Sequence, residues 1–121
     1  MTRAAYAHDA VFILDHGGDP RAPGGAITVA LCGHWNHEPP CPLAPHHTDA
    51  VPAGDDTFRL RVLFATEPQD EGKVRELITK ALSSGRMTGP DGQVTRWMVK
   101  SSGAGSIRQE ETDHAARLVG N

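Results

Sequence analysis

The stretch TFRLRVLFATEPQDEGKVRELITKALSSG, residues 57–85, decides the fold. In its first part Phe58, Leu60, Val62 and Phe64 alternate with Arg59 and Arg61. That is the period of a strand with one face toward a core and the other toward water. The period then changes, and Val74, Leu77, Ile78, Ala81 and Leu82 fall on one helical stripe, which predicts the main amphipathic helix. Thr66 with Gln69 three residues later predicts a capping box, and Pro68 sits in the first turn, where its missing N–H costs little. Gly85 is expected to take the left-handed conformation that stops the helix.

Toward the C-terminus, GRMTGPDGQVTRWMVK (85–100) predicts a short strand, a Pro-Asp-Gly turn and a longer strand from Gln93 to Lys100. SSGAGS (101–106) reads as a linker, and Ile107, Ala115, Leu118 and Val119 form a weaker stripe that predicts a terminal helix. Toward the N-terminus, DAVFIL (9–14) reads as a strand followed by the turn-rich DHGGDPRAPGG (15–25). In AITVALC (26–32), Ile27, Val29 and Leu31 alternate with Thr28, Ala30 and Cys32, which predicts a second strand antiparallel to the first. The expected fold is α+β: a mostly antiparallel sheet of about five strands, one main amphipathic helix and a further C-terminal helix. A sheet with few helices to cover it leaves room for a homodimer.

The 121 residues are about one ordinary domain, expected to span 1–121. Apolar residues make up 38% of them, with 13 glycines and 9 prolines, so a folded unit with prominent loops is expected rather than disorder. The formal charge of −3 is spread along the chain without a Lys/Arg run, so nucleic acid is not an expected partner. No stretch reaches the roughly 18 apolar residues of a membrane span. Asp9 and Asp15 interrupt the N-terminal apolar run, so no signal peptide or membrane partner is expected. These features predict a soluble cytoplasmic protein in which Cys32 and Cys41 stay reduced.

The chemistry concentrates in HWNHEPPCPLAPHH, residues 34–47, part of a predicted loop from about 33 to 56. A loop beyond about 12–15 residues is unusual in a compact domain unless it carries function. Pro39, Pro40, Pro42 and Pro45 stiffen it and lower the entropy lost when it adopts one shape. His34, His37, Cys41 and His46 supply the nitrogen and sulfur donors that Zn²⁺ or another divalent transition metal prefers, and four suffice for a tetrahedral site. The leading expectation is a metal ion partner held by these four residues in a structural or metal-handling role. The first alternative is a metal-dependent enzyme with an open position, in which Glu38 or His47 handles protons. The second is a dimeric module without metal that presents the loop to a protein partner; set against every metal reading is the plain one, in which the histidines are solvated or hydrogen-bonded loop side chains packed with Trp35.

The spacing matches neither the paired halves of a zinc finger nor the helical H-E-x-x-H of metalloproteases, because Pro39 and Pro40 forbid a helix there. Cys32 is two residues from His34 and is either a small apolar core residue or a further donor. His16, in DHGGD, is expected in a hydrogen-bonded turn, and His114 on an exposed helix face unless the C-terminus folds back onto the loop. The serines lie mainly in the C-terminal half without a G-x-S-x-G elbow, so no hydrolytic triad is expected. No P-loop or full dinucleotide fingerprint supports phosphate binding.

Overall fold

The computed structural model describes residues 3–32 and 44–120, and the Cys32 side chain lies outside that description. The described elements are β1 (Ala4–Leu14), α1 (Ala22–Cys32), β2 (His46–Gly54), β3 (Thr57–Thr66), α2 (Glu71–Ser83), β4 (Arg86–Thr88), β5 (Val94–Gly105) and α3 (Thr112–Gly120). Short 3₁₀ turns at Pro68–Asp70 and Gln109–Glu111 precede α2 and α3. The five described strands form one antiparallel sheet in the order β2-β3-β1-β5-β4. Leaving aside the short β4, the order β-α-β-β-α-β with the first strand between the third and the last is the split βαβ arrangement. The α+β class read from the sequence holds.

Alternation along β1 and β3 sorts the side chains into two layers. Ala10, Phe12, Leu14, Leu60, Val62 and Phe64 pack with Ala22, Ala26, Ile27 and Leu31 of α1 and Val74, Ile78 and Leu82 of α2. On the opposite face, Ala7, Leu63 and Ala65 pack with Leu118 of α3. The α2 stripe and the terminal helix are as the periodicity predicted. Gly85 has φ +69°, and its carbonyl accepts the Trp97 N–H at 3.0 Å, so the stop of α2 is also a contact with β5.

Four expectations are corrected. AITVALC is helical, not a second strand: Ala22, Ala26, Ile27 and Leu31 are buried at helical spacing. The Arg21 N–H donates to Asp19 Oδ1 at 2.9 Å, and the Ala22 N–H to the Asp19 carbonyl at 3.0 Å. A short apolar run satisfies either period, and here burial against the sheet overrides the β-branched composition. A Cβ at Gly24 would lie 2.5 Å from Thr48 Oγ1, so the helix approaches β2 where it carries only hydrogen.

The predicted 33–56 loop does not extend that far, because residues 46–54 are strand β2, paired with β3 from His46 opposite Phe64 to Gly54 opposite Thr57. Its polar composition hid it. As an outer strand it needs no second pairing partner, and Pro52 is tolerated at a register shift. SSGAGS is not a linker: Ser101 pairs with Val11, Gly103 with Asp9 and Gly105 with Ala7. A Cβ on Gly105 would collide with Asp9 Oδ2 and lie 2.8 Å from Arg61 Nη1, so small residues here let an ion pair lie over the backbone. The Thr66–Gln69 capping box is absent, because Thr66 still pairs in β3 opposite Ala4 and Gln69 Nε2 donates to Glu67 Oε2 at 3.0 Å.

Candidate functional site

Neighbouring residues of a strand face opposite ways, and β2 opens with two histidines. His46 turns toward α1, where Nδ1 lies 3.1 Å from the Ala44 carbonyl and Nε2 lies 3.0 Å from Thr28 Oγ1. A carbonyl only accepts, so Nδ1 carries a proton, and in the neutral ring Nε2 keeps its lone pair. The Thr28 hydroxyl has a second acceptor in the Gly24 carbonyl at 3.2 Å. His46 is thus held in one tautomer with Nε2 directed at a helix that ends one turn later, at Cys32.

His47 stands on the other face, where its ring meets His114 of α3 with ring centres 4.7 Å apart and planes tilted by 57°. α3 packs back against β1 and β3, which brings His114 to His47, a residue that the sequence reading placed in the loop. Burial holds His114 below its ordinary value of 6.5, with the positive charges of His47 and Arg117 acting in the same direction and Glu111 opposing them.

α3 is held in place by Arg61 of β3. Its guanidinium donates to Asp9 Oδ1 at 2.9 Å, to Glu111 Oε1 at 2.6 Å and Oε2 at 3.2 Å, and to the Ser106 carbonyl. Glu111 Oε1 also accepts the Arg108 N–H at 2.9 Å. These contacts hold the Glu111 carboxyl well below the usual carboxylate range, at about 2, with the Arg61 hydrogen bonds the largest cause. Arg61 is raised in turn. A single arginine therefore joins β1, β3 and the turn that launches α3. Beside it lies a cleft of about 810 Å³ whose walls include His47, Asp49, Arg59, Ser101, Glu110 and His114. That is the size of a small-molecule site, and its walls carry both signs of charge.

A third constellation lies on the α1/α2 face. His8 is 3% exposed, its Nε2 lies 2.8 Å from Ser102 Oγ, and Arg75 Nη1 donates to its Nδ1 at 3.1 Å. An arginine cannot accept, so Nδ1 is the unprotonated nitrogen and Nε2–H donates to the serine. The pair has the separation of a serine nucleophile and its base but the opposite polarity, since the base lone pair points away from the hydroxyl. Burial, and then the Arg75 charge, lower the His8 pKa, with Asp9 opposing. Arg75 also donates to Glu71 and to the Ala7 carbonyl, both at 2.8 Å, and lies over the Tyr6 and Phe64 rings. The strand read from the sequence, 9–14, stops one residue short of His8, whereas β1 begins at Ala4. Extending the inward alternation of Ala10, Phe12 and Leu14 back by two residues would have found it.

Of the sequence-predicted residues, His34, His37, Glu38 and Cys41 lie outside the described residues, as does the Cys32 side chain. His16 is in the expected turn, where its side chain is 98% exposed and Nδ1 lies 3.9 Å from Asp56 Oδ2. Among the described residues no group of three or more His, Cys, Asp or Glu could hold a metal ion, and no helix is long and apolar enough to cross a membrane. Comparison with known proteins finds no match among family models, curated proteins or solved structures.

Proposed function

We propose that the protein binds a transition metal ion, zinc before others, through His34, His37, Cys41 and His46, in a structural or metal-handling role. The observation that carries this reading is the state of His46: Nδ1 bonded to the Ala44 carbonyl and Nε2 unprotonated. A ligating histidine characteristically donates its other N–H to a carbonyl or carboxylate, which fixes the ring and raises its basicity. The Thr28 hydroxyl has the Gly24 carbonyl as an alternative partner to Nε2. The remaining donors come from sequence, where one proline-stiffened segment supplies two imidazoles and a thiol of the types zinc prefers. A thiolate ligand fits a reducing, cytoplasmic setting.

Enzymatic use of the same ion is the narrower variant, with Glu38 or His47 handling protons. His47 lies on the sheet face opposite His46, which favours a structural or metal-handling ion over one served by His47. A homodimer belongs to the same reading, formed across the part of the sheet face that α3 leaves open, where Val51 and Met98 stand exposed.

The test is elemental analysis of protein purified without added metal, with and without His46→Ala. About one equivalent of zinc in the parent, lost in the variant, is expected. Less than about a tenth of an equivalent of any transition metal, with folding unchanged in chelator, would overturn the reading.

A further inference from the structure

On the face opposite His46, the contact between His47 and His114 carries an inference of its own. No hydrogen bond or ion pair engages either ring among the described residues, although both belong to the wall of the cleft. His47 is exposed and His114 half-buried, so water can serve their nitrogens, whereas the more enclosed His8 and His46 find protein partners. Here a strand and a helix from distant parts of the chain present two rings to each other instead. The Arg61–Glu111 contact holds the helix that carries one of them.

The separation of the ring centres fits a pair of ligands on one ion, as it fits ordinary ring contact. Two imidazoles held cis on one ion, through metal–nitrogen bonds of about 2.0–2.1 Å, have ring centres about 4.5–5.5 Å apart. The observed separation is 4.7 Å, and the tilt of 57° keeps the rings from stacking face to face. Asp49 follows His47 by two residues on the same strand face, and Glu110 lies on the same cleft, so oxygen donors stand nearby without completing a closed set.

We infer that His47 and His114 form a second site, for a divalent first-row transition ion, with two imidazole ligands and positions left open to water or to an oxygen donor entering the cleft. Two protein nitrogens with open positions describe an accessible site rather than a closed structural one. Imidazole donors suit copper, nickel and zinc, and copper(II) takes such a site most tightly. The site is independent of the one proposed for His46, because the sheet separates the two rings.

The experiment uses the whole chain, first saturated with zinc and then titrated with copper(II) while histidine ring protons are followed by NMR. Paramagnetic broadening confined to His47 and His114 at the lowest copper additions is expected, with two-nitrogen coupling in the copper EPR spectrum. His47→Gln and His114→Gln should each weaken copper binding by at least about tenfold, comparable to loss of a ligand's support. Because the readout is resolved by residue, loss of the His46 site would leave this result intact, and the reverse also holds. Broadening that falls first on His16 or His46, or copper affinity unchanged in both variants, would overturn the inference. The wild-type NMR result decides the matter even if a variant fails to fold.

Discussion

Replacing Glu111 by glutamine keeps the shape of the contact that holds α3 and removes its charge. Glutamine keeps one acceptor oxygen for Arg61 Nη2 and the Arg108 N–H but sets its amide N–H against the Arg61 Nε–H that Oε2 accepts, so one hydrogen bond is lost together with the charge. A carboxyl held at about 2 rather than 4.5 corresponds to roughly 3 kcal/mol in favour of the ionised form. Arg61 and Glu111 side chains are 13% and 16% exposed, and partial solvent screening reduces the realised stability to about 1–2 kcal/mol. For a domain of this size that lowers Tm by about 3–10 °C near neutral pH.

The pH dependence separates this mechanism from general damage. A depressed carboxyl stabilises the fold fully above its unfolded value of 4.5 and loses that contribution as pH falls toward about 2. Thermal unfolding followed by circular dichroism should therefore show wild type and Glu111→Gln converging as the pH is lowered through that window. Parallel curves, with the same gap at both ends, would refute the assignment of the charge to the Arg61 contact.

Three further outcomes follow from the geometry. Ser102→Ala removes the acceptor of the His8 Nε2–H at a part-buried contact and should cost about 0.5–1.5 kcal/mol in urea unfolding; a neutral result would mean that the contact contributes nothing to the fold. Because His8 is held below 6.5 in the fold, the unfolded chain binds the proton more readily, so stability should decline as pH drops below about 6.5. Replacing His8 by phenylalanine should flatten that part of the profile, and a profile unchanged by the replacement would place the effect elsewhere. Gly24→Ala raises intrinsic helix propensity by about 1 kcal/mol, yet its Cβ would meet the Thr48 side chain, so a net loss of about 1–2 kcal/mol is expected in the same assay. Stabilisation by this change would mean that α1 and β2 are not in contact there.

What could be read in advance followed from length and strict period. β3 alternates over its full run, α2 carries one stripe over 13 residues, and the turn around Pro90 and Asp91 separates β4 from β5. α1 escaped because AITVALC is too short and too uniformly apolar for its period to discriminate, and the decision was made by burial against the sheet. β2 escaped for the opposite reason: HHTDAVPAG has little apolar content, and only β3 beside it makes it a strand. The candidate site divides the same way. The donors between 34 and 46 are visible as composition, whereas the meeting of His47 with His114 depends on where Arg61 and Glu111 fasten α3. That is a long-range consequence of the fold with no local signature.

The adjacency of His46 and His47 makes β2 a two-sided comb whose pairing, among the described residues, is with β3. Inserting one residue just ahead of His46, with the pairing from Thr48 onward kept, would leave both rings in place. Sliding the whole strand by one position would instead exchange them, delivering to each face the imidazole meant for the other. The hairpin at residues 54–57, where Asp56 adopts φ +53°, is the part of the molecule that sets that alignment, so a turn at the far end of the strand from His46 and His47 governs which of the two each side of the sheet receives.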